Sequence, residues 1–208
     1  MPQNRIEEVP SPIDLRRMAD AREWESTAMA KRPWRAEFFE RFHSAIESFP
    51  IPVSRILELG SGPGFLAAHL LQRMPLVAYD ALDFSPAMHQ LAAERLAGRA
   101  SRVQFIERNF KEPEWTRGIG RYDCVVTNQA VHELRHKSYA PALHAQVREV
   151  LSPGGAYLVC DHFSGEGGMK NDQLFMSVEE QCAALLAAGF SKVEKLMLKG
   201  SLVLHHAY

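Results

Sequence analysis

The chain has 208 residues, 46% of them hydrophobic and 24% charged, and its formal net charge is −1. This length and composition are typical of one globular domain that buries an ordinary core. Because the net charge is close to zero, the charge balance gives no reason to expect a polyanion such as nucleic acid as the main partner.

The cysteines and the apolar segments indicate the compartment. Cys124, Cys160 and Cys182 show no C-x-x-C spacing and lie in apolar or alanine-rich stretches, so we expect reduced, buried thiols. The N-terminal residues form no apolar leader, and no window approaches the roughly 18 apolar residues of a membrane span. We therefore expect a cytoplasmic protein that does not bind membranes.

Residues 1–49 predict an arm and two helices within the same domain, and they are candidates for a lid. Three prolines among polar residues indicate a loose arm over residues 1–12. Residues 14–30 predict a charged helix, and a more amphipathic helix follows Pro33. The basic cluster at residues 31–35 is short and acids follow it, which predicts a solvated helix start rather than a nucleic-acid contact.

Residues 50–208 alternate between strand-like and helix-like patterns. Apolar, strand-like runs lie at residues 55–59, 76–83, 103–106, 122–127 and 156–160. Helical patterns occupy residues 63–73, 86–98 and 139–151, and a last one runs from a capping box at Ser177 to Gly189. Residues 153–155 predict a turn before the fifth strand, and residues 193–197 and 202–207 predict a terminal hairpin.

This order of elements predicts the α/β class. Strands that alternate with helices form a parallel sheet covered on both faces. We therefore expect a Rossmann-like, doubly wound sheet of seven strands, mostly parallel, with a C-terminal antiparallel hairpin and additional N-terminal helices.

Glycines or polar residues follow four of these strands at the point where each strand ends. A glycine turn at residues 60–64 follows the first strand, and Asp83 closes the second. Asn109 follows the third strand and Asn128 the fourth. Because ligands of such sheets bind outside the carboxyl ends of the strands, these positions predict a ligand site at one edge of the sheet.

The glycine turn distinguishes between nucleotide cofactors. A dinucleotide-binding turn has the pattern G-x-G-x-x-G, whose third glycine would fall at position 65. The chain has Phe65 there, and its own pattern is G-x-G-x-G with Pro63 inside it. The helix start behind the turn offers a partial positive charge that suits a carboxylate. The pattern therefore disfavours NAD and favours another nucleoside cofactor.

Together these motifs resemble those of the class I S-adenosylmethionine-dependent methyltransferases, over about residues 50–208. Residues 58–64 look like the family's first motif, which wraps the methionine part of the cofactor, and Asp83 matches the acid that binds the ribose hydroxyls. Residues 123–128, 149–155 and 185–190 are similar to later motifs. The resemblance implies that S-adenosylmethionine is the cofactor. It implies cofactor-binding roles for Glu58, Gly60, Ser61, Gly62, Gly64, Asp83, Phe84, Met88, Asn109, Phe110 and Asn128.

One position departs from the family pattern. Asn109 stands where the family usually carries an acid near the adenine. An asparagine keeps an acceptor for the exocyclic amine and loses the charge.

Histidines after the fourth and fifth strands are the candidates for catalysis. An oxygen or nitrogen acceptor that bears a proton benefits from a base, and histidine titrates near neutral pH. His132 is the first candidate for a substrate-facing base and His162 the second; the alternative for each is a polar residue of the rim that orients the substrate. The loop at residues 163–176 contains three glycines and is a candidate lid.

The resemblance also implies a class of acceptor. The family's amino-group DNA methylases carry a proline pair after the polar residue of the fourth strand, whereas here Gln129 and Ala130 follow Asn128. We expect methylation of an O, N or S atom of a small molecule, no nucleic-acid partner, and a monomer or homodimer.

Two other functions remain open on the sequence. Residues 132–136 read HELRH and satisfy the H-E-x-x-H pattern of zinc hydrolases. The motif directly follows a strand and is close to Pro141, and no third ligand stands at a usual spacing, so we assign no metal ligand. The second alternative is a methyltransferase-like protein that binds cofactor and serves as a partner without catalysis.

Overall fold

The computed structural model describes residues 6–208 of the chain. Its strands are β1 (Arg55–Leu59), β2 (Ala78–Asp83), β3 (Val103–Glu107), β4 (Tyr122–Asn128), β5 (Leu151–His162), β6 (Val193–Lys199) and β7 (Leu202–Ala207). Its α-helices are α1 (Met18–Lys31), α2 (Arg35–Glu47), α3 (Phe65–Arg73), α4 (Pro86–Leu96), α5 (Ala140–Val150) and α6 (Val178–Ala187). Within the described residues, none of these helices has the length and apolar character needed to cross a membrane.

The seven strands form one sheet in the order β3-β2-β1-β4-β5-β7-β6. The first five strands are parallel, and β7 pairs antiparallel with both β5 and β6. The strand order reverses between β1 and β4, which places a crevice at their carboxyl ends. The predicted fold class, including the C-terminal antiparallel hairpin, is confirmed.

Helices cover both faces of the sheet. Phe42 of α2 and Leu70 of α3 pack with Ile56 of β1 in one apolar cluster. Val147 of α5 packs with Leu57 of β1 in the other. Neighbouring residues of a strand point to opposite faces, so β1 contributes to both clusters and is buried between them.

Several predicted boundaries and one predicted turn were wrong. α1 begins at Met18 rather than near residue 14, and α3 begins at Phe65 because Gly64 still has φ +75°. The turn expected at residues 153–155 is a bulge within β5, where the register shifts opposite Tyr122 and Cys124. A Cβ atom at Gly155 would lie 2.9 Å from the carbonyl oxygen of Ser152, which explains the glycine there.

The N-terminal segment crosses the carboxyl edge of the sheet. The backbone N–H of Val9 donates to the carbonyl oxygen of Arg135, whose guanidinium donates to the carbonyls of Val9 and Pro10. Further on, the Ser85 hydroxyl donates to the carbonyl oxygen of Leu15 at 2.6 Å. From Val9 onward, the predicted loose arm is therefore tied to the loops at this edge; residues 1–5 lie outside the described part of the chain.

Candidate active site

A cleft opens at the carboxyl ends of β1, β2, β4 and β5, under a roof made by the N-terminal segment. It encloses about 930 Å³ of empty space, part of it open to solvent. Its walls contain nearly all the residues that the sequence predicted. These are Glu58, Gly60, Ser61, Gly62, Asp83, Phe84, Met88, Phe110, Asn128, His132 and His162. The roof is formed by Leu15, Trp24, Arg32 and Arg35.

The glycine turn forms the floor of this cleft. Gly60 has φ +64°, and a Cβ atom there would lie only 2.3 Å from the Cβ atom of Ala130. Gly62 has φ +52°, but no atom lies within 4 Å of the position its Cβ would take. Glycine is thus required at 60 for close packing as well as for its conformation, whereas at 62 it leaves open space beside the backbone.

Asp83 holds this turn in place. Its Oδ2 accepts the backbone N–H of Gly62 at 2.8 Å, and its Oδ1 accepts that of Ser85 at 2.9 Å. The carboxyl group is 5% exposed, and this burial raises its pKa to about 6 although the backbone donors oppose the shift. At neutral pH Asp83 is mostly a carboxylate whose remaining lone pairs can accept hydrogen bonds from a ligand.

Glu58 lies on β1, just before the glycine turn. The Tyr79 hydroxyl donates to its Oε2 at 2.7 Å. Burial raises the pKa of Glu58 to about 8, because the Tyr79 hydrogen bond does not outweigh the loss of solvation and Asp83 adds a repulsive charge. The group therefore carries a proton over much of the neutral range.

Several polar atoms of the cleft-lining residues are buried without a hydrogen-bond partner among residues 6–208. Ser61 Oγ lies in the glycine turn and Asn128 Oδ1 at the end of β4, and Gln129 Nε2 and two nitrogens of Arg35 belong to the same set. An unpaired buried polar atom costs about 1–3 kcal/mol. Such atoms beside open glycine backbone therefore fit a polar ligand that pairs with them.

Phe84, Met88 and Phe110 form an apolar wall beside Asp83. Ser85 caps α4 by accepting the backbone N–H of Met88 at 3.1 Å, which fixes the methionine at the first turn of the helix. Two predicted positions lie elsewhere. Gly64 packs against Ala92 of α4, and Asn109 accepts the backbone N–H of Lys111 and faces a neighbouring depression under residues 11–17.

His132 lies between two carboxylates. Its Nδ1 is 2.6 Å from Asp161 Oδ1, its backbone N–H donates to Asp161 Oδ2 at 2.7 Å, and its Nε2 is 3.3 Å from Glu133 Oε1. Burial alone would lower the pKa of His132, but the charges and hydrogen bonds of Asp161 and Glu133 raise it to about 10. The ring is an imidazolium at neutral pH in this arrangement.

His162 lies next to His132 and has the opposite electrostatics. The two ring centroids are 5.5 Å apart, and Phe175 packs against both rings. His162 Nδ1 is 2.9 Å from the Ser201 hydroxyl oxygen. Burial lowers the pKa of His162 to about 4, and the charge of His132 acts in the same direction. His162 is therefore neutral at pH 7.

The HELRH segment does not form the helix that a zinc-hydrolase motif needs. Residues Val131–Leu134 form a 3₁₀ turn, and Arg135 ends it with φ +67°. His136 points away from His132 to pair with Ser138 and Gln173. Within residues 6–208 no group of three or more His, Cys, Asp or Glu side chains is arranged to hold a metal ion.

Two residues that shape this site do not follow from the sequence patterns. Asp161, on β5, stands outside the cleft lining, and the pairing of β5 with β4 makes it the partner of His132. Arg35 was assigned to a solvated helix start, which was wrong: it is 2% exposed and donates to Gln129 Oε1 at 2.6 Å. Trp24 also reaches the cleft, whereas Trp34 packs against the core.

The comparison with known families agrees with this geometry. The sequence model of a family described as a methyltransferase domain matches residues 56–155, from β1 into β5. The malonyl-[acyl-carrier protein] O-methyltransferase of Geobacter sulfurreducens is 27% identical over 172 residues, which cover 74% of this chain and 62% of that protein. The chain spans less than two thirds of the length of the curated relatives that it matches.

Solved structures show the same fold. An O-methyltransferase family protein from Burkholderia thailandensis matches with a TM-score of 0.72 at 18% identity, over 91% of this chain and 59% of that one. The DhpI–SAH complex matches with a TM-score of 0.68 at 20% identity, over 93% of this chain and 95% of that one. The predicted resemblance to methyltransferases is thus confirmed at the level of the family and the fold.

Proposed function

The chain contains a methyltransferase domain, matched over residues 56–155, and on this premise we propose that it is a class I S-adenosylmethionine-dependent methyltransferase that transfers the cofactor's methyl group to a small-molecule acceptor. One observation carries the proposal: the glycine turn, Asp83 and Asn128 line the same cleft as His132, which is paired with Asp161. One side of the cleft suits a nucleoside with an amino-acid tail, and the other suits a proton-bearing acceptor.

The chain's own residues fit the cofactor. Asp83 accepts two ribose hydroxyls, and Phe84, Met88 and Phe110 enclose the adenine. The glycine turn, with the orphaned Ser61 Oγ, receives the methionine part, and Asn128 Oδ1 lies on the methyl side. Asn109 keeps its predicted role near the adenine only if the depression under residues 11–17 joins the cleft when cofactor binds. DhpI, a structural relative, is known in complex with SAH.

The bound cofactor supplies an electrophilic methyl group on a sulfonium sulphur. The cleft contributes by aligning an acceptor atom and excluding water, since an in-line displacement requires little covalent help. His132, oriented through Nδ1 by Asp161, receives the proton of the acceptor at Nε2 once that atom has lost its own proton. His162 Nδ1 pairs with Ser201, so His162 is proposed to orient the acceptor.

The acceptor is proposed to react through O, N or S. A malonyl-[acyl-carrier protein] O-methyltransferase is among the sequence relatives and an O-methyltransferase family protein among the structural neighbours, which supports oxygen as the first atom to test. A cofactor-binding protein without turnover is the alternative, and it predicts SAH binding with no methyl transfer to any member of a broad acceptor panel.

Replacing Asp83 by alanine is expected to weaken the binding of S-adenosylmethionine by about 2 kcal/mol, or roughly 30-fold, because two ribose hydroxyls lose their acceptor. Equilibrium dialysis with radiolabelled cofactor measures this change. Asp172→Ala, at an exposed loop position, is the matched control and should bind as wild type does. Equal affinity of wild type and Asp83→Ala would refute the ribose assignment.

The pH dependence of kcat/KM distinguishes the two histidines. Because the pKa of His132 in the free protein is about 10, a base at this position makes kcat/KM rise by about tenfold per unit between about pH 6 and pH 9. A base at His162, whose pKa is about 4, gives a flat profile over the same range. We expect the rising profile for wild type, and a flat one would exclude His132 as the base.

A further inference from the structure

Two arginines in the roof of the cleft have no acidic partner within residues 6–208. Arg35 begins α2 and is 2% exposed; its Nη2 donates to Gln129 Oε1, while its Nε and Nη1 are buried without any hydrogen-bond partner in the described chain. Arg32, three residues earlier, is half-buried in the same cleft, and no ion pair of its guanidinium occurs among the described residues. The roof therefore contributes two positive charges with which no acidic side chain among residues 6–208 forms an ion pair.

These charges persist at neutral pH. Burial lowers the pKa of Arg35, but only to about 10, so its guanidinium stays protonated. The face of Trp24, 5.6 Å away, offers a cation–π contact that is weak compared with an ion pair. By contrast, the positive charge of His132 is balanced by Asp161 and Glu133. A buried charge without a partner is costly unless a ligand supplies the opposite charge.

We propose that Arg32 and Arg35 form a receptor for anionic groups, and that the methyl acceptor itself carries a carboxylate or phosphate that binds there. This inference rests on the proposed function and specifies its substrate class. The planar, forked donors of arginine match both groups in a bidentate fashion.

The cleft has two arginines but the cofactor has only one carboxylate, so the acceptor is the source of a second anion. S-adenosylmethionine has a single carboxylate, which one guanidinium can bind in full. Arg35 is the deeper of the two and contacts Gln129, next to Asn128, so it lies nearer the methionine part. Arg32 and His162 both line this cleft, and the charge of Arg32 helps to lower the pKa of His162. An anion at Arg32 therefore lies on the acceptor side of the cleft.

The test uses SAH-saturated protein and simple probes. Calorimetric titration with benzoate and phenyl phosphate, against the neutral benzamide, should show binding of at least one anion and weaker or no binding of benzamide. Arg32→Gln should weaken the binding of the anion at least about tenfold. Arg99 is an exposed arginine on the turn before β3, and Arg99→Gln should leave that binding unchanged. Binding of neither anion, equal binding of benzamide, or an unchanged Arg32→Gln variant would overturn the proposal.

A second arm separates the cofactor's carboxylate from that of the acceptor. The ligands are SAH and 5′-methylthioadenosine, which lacks the amino-acid tail. If Arg35→Gln weakens the binding of SAH but not that of 5′-methylthioadenosine or the anionic probe, Arg35 binds the cofactor and Arg32 the acceptor. If the variant weakens only the binding of the anionic probe, both arginines bind the acceptor. Either result supports the receptor, and no effect on any ligand contradicts it. Failure of folded wild type to bind SAH would instead refute the proposed function.

Discussion

We expect His132→Gln to lower kcat for methyl transfer by about 10²–10³-fold, because a positioned proton acceptor contributes roughly that much to such reactions. Glutamine keeps a polar group near Asp161 but cannot carry the proton. The affinity for SAH should change little, since the ring lies on the acceptor side of the cleft. Initial rates with radiolabelled cofactor, together with a calorimetric SAH titration, measure both quantities.

The control for this variant is His136→Gln, at the other histidine of HELRH. Its side chain pairs with Ser138 and Gln173 outside the cleft, so its activity should match that of wild type. A zinc site built on both histidines would make the two variants equally inactive. Full activity of His132→Gln would show that the acceptor needs no base at this position.

We expect Gly60→Ala to destabilise the fold by about 3 kcal/mol and to abolish cofactor binding. The left-handed conformation costs an alanine about 1–2 kcal/mol, and the overlap of its Cβ with that of Ala130, 2.3 Å away, adds about 1–3 kcal/mol of overpacking. Relief of this overlap moves the glycine turn away from the end of β4. Urea denaturation of the ligand-free protein measures the free energy of unfolding.

Gly62→Ala is the matched control, because it has the same sign of φ and no atom near the added Cβ. Only the conformational cost of about 1–2 kcal/mol should appear. Similar losses for both variants would mean that backbone conformation alone, and not the contact with Ala130, requires Gly60.

The sheet and its ligand edge were predictable because they depend on local patterns. Apolar runs that end at Gly60, Asp83 and Asn128 each mark the end of a strand, and the alternation with helices places those ends along one edge. The roles assigned to these residues were carried by a resemblance of short motifs that stand in order along the chain.

The pairings between distant segments were not predictable from such patterns. His132 and Asp161 are 29 residues apart, and their contact requires that β4 and β5 be neighbours in register. Arg35 belongs to a charged segment whose composition is typical of a solvated surface, and only the packing of α2 against the sheet buries it. The bulge at Gly155 likewise depends on the ladder with β4.

The measurement that tests the central claim most directly is a calorimetric titration of the wild-type protein with S-adenosylhomocysteine. The arrangement of the glycine turn, Asp83 and the orphaned Asn128 Oδ1 predicts one molecule bound per chain with a micromolar dissociation constant. The absence of any binding to protein that is folded by circular dichroism would contradict the assignment of this cleft to the cofactor.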